Sequence, residues 1–392
     1  MTIRHPSNVR NILASGIDSL VISGSIVWED NSFFVFLDEH KEKAKLNSSD
    51  YPVNIKHFNP EEVCPVLIKP HGTKGFSFIL IGKDFTFKIA NSITPNSRPN
   101  VMIESRSEAL WRLGAENVLK LAQDIIKANG GRIIEMKLSR VDLCLDFLMP
   151  ENCWSPNLMD YAVTRATDNC TYRRNRKLTG IRFGKKATSA RLYDKPLEIE
   201  QQSKKYWMYD IWGIAEVPKG KKIIRIEFQL RRETLKDLCL RTPEDLFLKI
   251  NEAWAYCTKK WLIFKDRPGC HTITQRKTFG WYEEIQDGFQ GAQGAEPLVR
   301  EKAVGTDKKR LIQQANGLIV AIHAIEQEEK REDRDKPINM EDCLCSYNDE
   351  LKRNPPDPLE LQEKIKRKRS KYHREKPPIE EGKVYVLRRN EK

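Results

Sequence analysis

The sequence predicts an α+β fold, with antiparallel or mixed β-sheets and covering helices, followed by a helical C-terminal region and a charged tail. Three observations carry this. Residues 19–103 repeat short runs rich in β-branched and aromatic residues, broken by turn-forming stretches. Three segments between Ser139 and Arg232 alternate charged and apolar residues with the period of a strand. Beyond Glu233 the apolar spacing changes to that of helices.

In chain order, the strand patterns are LVISGSIVW, FFVFL, PVLIKP, FSFILIG and FTFKIA, separated by stretches such as LNSSDYP and PHGTKG. A helix is expected from Ser107, an N-cap residue followed by Glu108 in the first turn. Its stripe is Leu110, Leu113, Val118, Leu121, Ala122 and Ile125, and Asn129-Gly130-Gly131 ends it. The charged strand KLSRVDLCLDF follows. Tyr161 to Thr179 gives no clear pattern and runs into the basic stretch YRRNRK. ARLYDK and IIRIEF read as two further strands. TPEDLFLKINEAWAYCTKKWLIF opens with Thr242-Pro243-Glu244-Asp245, a good helix start, and its Trp254 and Trp261, seven apart, read as core. Another amphipathic helix is expected over Lys308 to Glu328. These elements divide the chain into 1–130, a β-rich half closed by a helix; 131–235, the charged strands; 236–328, helical; and 329–392, a charged tail. The tail is poor in large apolar residues, is expected to be largely mobile, and contains the basic run Lys364–Arg374.

The 392 residues carry 68 Lys and Arg against 55 Asp and Glu, a formal charge of +13, which favours a polyanionic partner. No apolar run approaches the roughly 18 residues of a membrane span. MTIRHPSNVRN has no signal-peptide core. The nine cysteines contain no CxxC pair. A cytoplasmic protein with reduced thiols and no membrane contact is expected. The absence of GxxxxGK[ST] argues against an NTPase, and there is no His-x-His pair.

The chemistry lies on the alternating strands. Arg140, Asp142, Cys144 and Asp146 share one side of the first; Arg191, Tyr193 and Lys195 share a side of the second; Arg225, Glu227, Gln229 and Arg231 share a side of the third. For any one strand, a ladder of ion pairs across a solvated face is explanation enough. Three such strands point to a site. Asp142 and Asp146 stand about 13 Å apart along their strand, so one of them pairs more readily with Glu227 across strands, at about 5 Å. Such oxygen ligands suit Mg²⁺ or Mn²⁺, which would polarise a scissile phosphate. Arg140, Arg191, Arg225 and Lys195 would hold phosphate oxygens, and a tyrosine would attack phosphorus. Tyr193 lies on the charged face, whereas Tyr172 has the phosphate-binding neighbours Arg173 and Arg174.

SRVDLCLDF, FGKKATSARLYDKPLEI and IIRIEFQLRRE, in that order, resemble the replication initiation factor family. That family includes the Rep-trans-type initiators of rolling-circle plasmids, phage initiators and relaxases of conjugative elements. The resemblance spans roughly 76–260. It implies a DNA-binding protein that nicks one strand at its own origin through a tyrosine and a divalent metal. It places Asp142, Asp146 and Glu227 at the family's acidic positions and Lys195 at its YDK lysine. Lys185, Lys186, Arg182 and Arg231 are further candidates for holding DNA. Origin DNA, a host helicase and a second protomer are the implied partners. The chain departs from the family at the nucleophile: where many relatives carry tyrosine before the aromatic-glycine pair, Gly180-Ile181-Arg182-Phe183-Gly184 carries Arg182. Either another tyrosine substitutes, Tyr193 or Tyr172, or the chain binds DNA without cutting it.

Overall fold

The computed structural model describes residues 12–56, 63–266, 276–300, 308–330 and 339–372. The strands are β1 (Ile12–Trp28), β2 (Tyr51–Lys56), β3 (Val63–Ile68), β4 (Phe78–Gly82), β5 (Phe85–Ile89), β6 (Val101–Ser105), β7 (Gly131–Pro150), β8 (Ala162–Thr164), β9 (Asn169–Arg174), β10 (Lys177–Phe183), β11 (Thr188–Asp194), β12 (Lys221–Arg231) and β13 (Leu262–Phe264). The helices are α1 (Ser32–Leu46), α2 (Ser107–Leu113), α3 (Ala115–Ala128), α4 (Lys195–Glu198), α5 (Met208–Trp212), α6 (Arg232–Asp237), α7 (Pro243–Leu248), α8 (Ile250–Tyr256), α9 (Gly280–Asp287), α10 (Lys308–Lys330), α11 (Met340–Arg353) and α12 (Pro358–Tyr372).

The fold is α+β. Eleven strands form one sheet in the order β2-β3-β4-β5-β6-β1-β7-β12-β11-β10-β9, and every neighbouring pair is antiparallel. β13 and β8 form a separate two-stranded sheet. The long β1 and β7 sit at the centre, so the sheet runs without interruption from the β-rich first part of the chain into the charged strands. The chain divides into two compact units, Met1–Glu301 and Lys302–Lys392. The boundary expected at residue 130 falls between α3 and β7, two elements of the first unit. Residues 373–392, including the end of the basic run, lie outside the described residues.

Two elements differ from the reading of the sequence. FFVFL is the first part of a helix, α1. Five β-prone residues are too short a run to outweigh the strong helix formers of DEHKEKAKL that follow. Phe33, Phe34, Leu37 and Ala44 then bury one stripe. The single helix expected from Ser107 is two, α2 and α3, parted by Gly114 at φ +81°. The Gly114 N–H closes the first helix on the Leu110 carbonyl, and its own carbonyl accepts from Val118 to start the second. The unassigned basic stretch is a hairpin. Asn175 and Arg176 both take positive φ, 48° and 63°, the two-residue turn that matches strand twist.

The apolar face of the charged strands is core: Val141, Leu143, Leu145, Ile224, Ile226, Phe228 and Leu230 are buried. Trp254 and Trp261 pack there edge-on against Phe228, at 5.5 and 6.3 Å between ring centres. Both were expected in the core, and both are buried. α7 opens with the capping box of Thr242 and Asp245 that its sequence announces. Among the described residues no helix is long and apolar enough to cross a membrane, and the eight described cysteines form no disulfide.

Candidate functional site

Antiparallel register brings the charged residues into rows, because directly opposed side chains project to the same face. One row runs Asp146, Arg225, Tyr193, Gly180, Tyr172 across β7, β12, β11, β10 and β9. The next runs Cys144, Glu227, Arg191, Arg182, Cys170. Asp142 stands opposite Gln229, and Arg140 opposite Arg231. Both candidate tyrosines therefore lie on the same face, separated by the one residue without a side chain, Gly180. A Cβ at Gly180 would come within 3.3 Å of Tyr193 Cβ and 3.6 Å of Tyr172 Cδ2.

The face is not a solvated ladder. Its first row is sealed at the Arg225 end. Arg225, fully buried, donates Nε to Asp146 Oδ1 at 2.6 Å and Nη2 to Asp146 Oδ2 at 2.7 Å. Its third nitrogen, Nη1, reaches Asp18 Oδ1 at 2.7 Å. The Trp212 indole N–H donates to Asp146 at 2.8 Å, the ring of Trp111 lies 5.8 Å from the guanidinium, and Met208 Sδ is 3.7 Å from Nη2. Asp18 enters through a β-bulge: Ile17 pairs with Leu143 and Ser19 with Asp142, leaving Asp18 as the extra residue. Burial alone would raise its pKa, but Arg225, Lys205 and Lys195 together hold it well below the ordinary aspartate value. Lys195 is buried at the start of α4, donates to Glu198 at 2.6 Å and sits 5.5 Å from the Tyr193 ring. Burial, then the charge of Arg225, lowers its pKa.

The second row, and the Asp142 and Arg140 positions beyond it, are more open. Asp142 and Glu227 are buried carboxylates, each held by an arginine whose side chain reaches solvent. Arg140 grips Asp142 through Nε at 2.8 Å and through Nη2, and Arg191 Nη2 pairs with Glu227 Oε1. Arg140 is 34 % and Arg191 46 % exposed. The Tyr193 hydroxyl donates to Glu227 Oε2 at 2.8 Å. Burial, then the charge of Glu227, pushes Tyr193 well above the ordinary tyrosine pKa, so it serves this network as a neutral donor. Asp142 is pushed up to about 6, chiefly by burial, with the charge of Glu227 adding to it and the Arg140 hydrogen bond opposing. The structure thus brings Asp142 and Glu227 together and sets Asp146 apart, both its oxygens engaged by Arg225 and Trp212. Among the described residues no three His, Cys, Asp or Glu side chains are grouped to hold a metal ion.

The outer strands carry the accessible groups. Tyr172 is 47 % exposed on the edge strand β9. Its pKa is raised by a hydrogen bond with Cys170 and then by desolvation. Arg173 and Arg174 are exposed beside it, as are Lys185, Lys186 and Arg231. Lys185 pairs with Asp168 at 3.2 Å, and Arg231 donates to Gln229 at 2.9 Å. Arg182 is different. It is partly buried next to Arg191, its Nε is enclosed with no hydrogen-bond partner, and among the described residues it makes no ion pair.

Sequence reasoning missed Asp18 and the places that Trp111, Trp212 and Gly180 take around the charged rows. Asp18 sits in GIDSLVIS, one residue out of step with its neighbours' alternation. That was the available signal of the bulge.

No family model matches the chain, and no curated protein matches it. Among solved structures it is similar to one titled as the structure of a rolling circle replication initiator protein from Geobacillus stearothermophilus. The two share 10 % sequence identity with a TM-score of 0.40, over 74 % of this chain and 99 % of that one.

Proposed function

We propose that this chain is a DNA-binding replication initiator that cuts one strand of its own origin, with Tyr172 as nucleophile. The observation that carries the reading is Arg182. A guanidinium with a buried, unpartnered N–H, lying beside a second arginine and in reach of an exposed tyrosine, lacks an anion. Planar, bidentate donors of this kind suit a phosphate diester. The three-motif resemblance of the sequence supports the same class of partner.

In this reading Arg182 and Arg191 hold the scissile phosphate, and the basic hairpin around Arg173 and Arg174 carries the flanking backbone. The Tyr172 oxygen forms a bond to phosphorus as its proton leaves to water. One backbone P–O bond breaks, and the departing oxygen takes up a proton as a free hydroxyl end. Tyr193 has a different role, since its hydroxyl orients Glu227. Asp142 and Glu227 would be the acids to hold Mg²⁺ or Mn²⁺, which would have to displace the Arg140, Arg191 and Tyr193 donors that occupy their oxygens. Two carboxylates plus substrate oxygens suffice for such an ion, which when bound would neutralise charge on the phosphate. Arg182 in the family's tyrosine slot favours one other reading, a chain that binds its origin without cutting.

The test is binding to duplex and single-stranded fragments spanning the chain's own gene and flanks, measured across a salt series. Arg182→Gln should weaken binding roughly tenfold and reduce the salt slope by about one ion. Unchanged affinity and slope would remove the phosphate from Arg182 and the reading with it.

A further inference from the structure

A second opening in the first unit lies on β1, away from the exposed tyrosine. β1 pairs with β7 along its length but with β6 only from Leu20 to Gly24, so its first half has a bare outer edge. That edge is closed at both ends. At one, Ile12 presses on Gly288, where a Cβ would come 1.9 Å from Ile12 Cδ1. At the other, the Ser107 hydroxyl and the Trp111 indole N–H hold Asp18 at 2.8 and 3.4 Å. Ser15–Ile17 stays open, roughly 10 Å of strand. It forms one wall of a cavity of about 440 Å³, a volume ordinary for a small-molecule site.

The lining narrows the chemistry of the occupant. Trp111 and Phe247, both half-buried, supply flat apolar walls, and a Cβ at Gly16 would lie 3.4 Å from the Trp111 ring. No Lys, Arg or His lines the cavity, although the chain carries a formal charge of +13. Its one charged group is Glu116, exposed in the first turn of α3, with no ion pair or hydrogen bond among the described residues. Ser15 is only 8 % exposed, yet its hydroxyl has no hydrogen-bond partner among the described residues. A hydroxyl so buried is normally satisfied. Alternate residues of the bare edge also turn their N–H and C=O away from β7, toward the same space. Glu116 would repel a phosphate, and three residues of edge are about half an ordinary strand, too few to pair with an added one. A planar, uncharged ring that stacks, donates amino hydrogens to a carboxylate and meets a backbone edge satisfies every wall.

We propose that this cavity binds a nucleobase bearing an exocyclic amino group, through Trp111, Glu116 and Ser15. The base comes from a free nucleoside or from an unpaired stretch of DNA, and the second source rests on the DNA binding proposed for the charged face. Five strand spacings, about 24 Å, separate β1 from Tyr172 on β9, so the cavity stands apart from the proposed site of cutting.

The experiment uses the full-length protein and 2-aminopurine, whose fluorescence falls on stacking, both as the free deoxynucleoside and as the single purine of an oligothymidine strand. The wild type should quench one or both. Excess deoxycytidine, which carries the amino group, should relieve the quenching, and thymidine should not. Glu116→Gln alters an exposed side chain and should weaken binding at least about tenfold. Ala115→Phe, which fills the cavity from its rim, should abolish it. Quenching of the free nucleoside alone identifies a nucleoside site, and quenching within the strand identifies an unpaired DNA base. Quenching of neither, quenching that both variants leave unchanged, or relief by thymidine equal to that by deoxycytidine overturns the proposal. An all-thymidine strand offers the cavity no amino group, so its affinity should fall in Arg182→Gln and not in Glu116→Gln. Failure of the DNA reading and failure of the cavity are thereby told apart.

Discussion

Replacing Arg225 separates what holds the sheet together from what works on it. Arg225→Met keeps the length of the side chain and removes the charge, leaving Asp146 and Asp18 facing each other in a site closed by Trp111, Trp212 and Met208. Asp146 and Arg225 are wholly inaccessible, so solvent does little to compensate. Breaking a buried pair from one side costs about 3–5 kcal/mol, because the surviving charge stays buried. Against a total stability of about 5–15 kcal/mol, that is about a fifth or more of what folds a domain. Arg191→Met is the counterpart. Its partner Glu227 is buried, but Arg191 itself is nearly half exposed, so water replaces much of the lost interaction. Its cost should stay near 1 kcal/mol, while DNA binding falls. Urea denaturation followed by tryptophan fluorescence measures both, provided the slope with denaturant is unchanged. A loss below about 1 kcal/mol for Arg225→Met, or equal losses for the two variants, would refute the division into a sealed and an open row. Arg225→Met combined with Asp146→Leu should recover part of the loss, since a buried pair replaced on both sides is often nearly neutral.

Two further outcomes follow from the same geometry. The folded pKa of Asp142, about 6, lies above its ordinary 3.8, so between those values the folded chain binds more protons than the unfolded one. Its contribution to stability is therefore present at the acid end of that window and is lost as pH rises through about 6. Asp142→Asn should flatten this fall in denaturation midpoints measured across the window, and an unaltered slope would move the titration to another group. Gly184→Ala should destabilise the β10–β11 connection by at least about 1 kcal/mol, since Gly184 has φ +75° and a Cβ there would lie 2.5 Å from the Thr188 carbonyl oxygen. A thermal midpoint equal to wild type would contradict that strain.

The alternation in SRVDLCLDF and IIRIEFQLRRE was enough to place one face of carboxylates and arginines against one of core. What alternation does not specify is register. Asp142 and Glu227 become neighbours because Gln229 opposes Asp142, an offset visible only once β7 and β12 are paired. Arg225 takes both Asp146 oxygens because the two residues stand directly opposite each other. Tyr172 reaches the same face as Tyr193 because the tight Asn175-Arg176 turn folds β9 back beside β10. An arginine at a left-handed turn position gave no sequence cue, since glycine is the residue that normally marks it. Burial of the charged face was also illegible. The residues that close it, Trp111 and Trp212, are distant in sequence and meet it through Asp18, Arg225 and Asp146.

The central claim is that an exposed tyrosine attacks a phosphate held by Arg182 and Arg191. The direct measurement incubates purified protein with supercoiled DNA carrying its own gene and flanks, in Mg²⁺ or Mn²⁺, and resolves the products on a denaturing gel. The wild type and Tyr193→Phe should both leave a covalent protein–DNA adduct, and Tyr172→Phe should leave none. An adduct that persists in Tyr172→Phe, or tight binding to one short sequence with no nick in the wild type, would contradict the account.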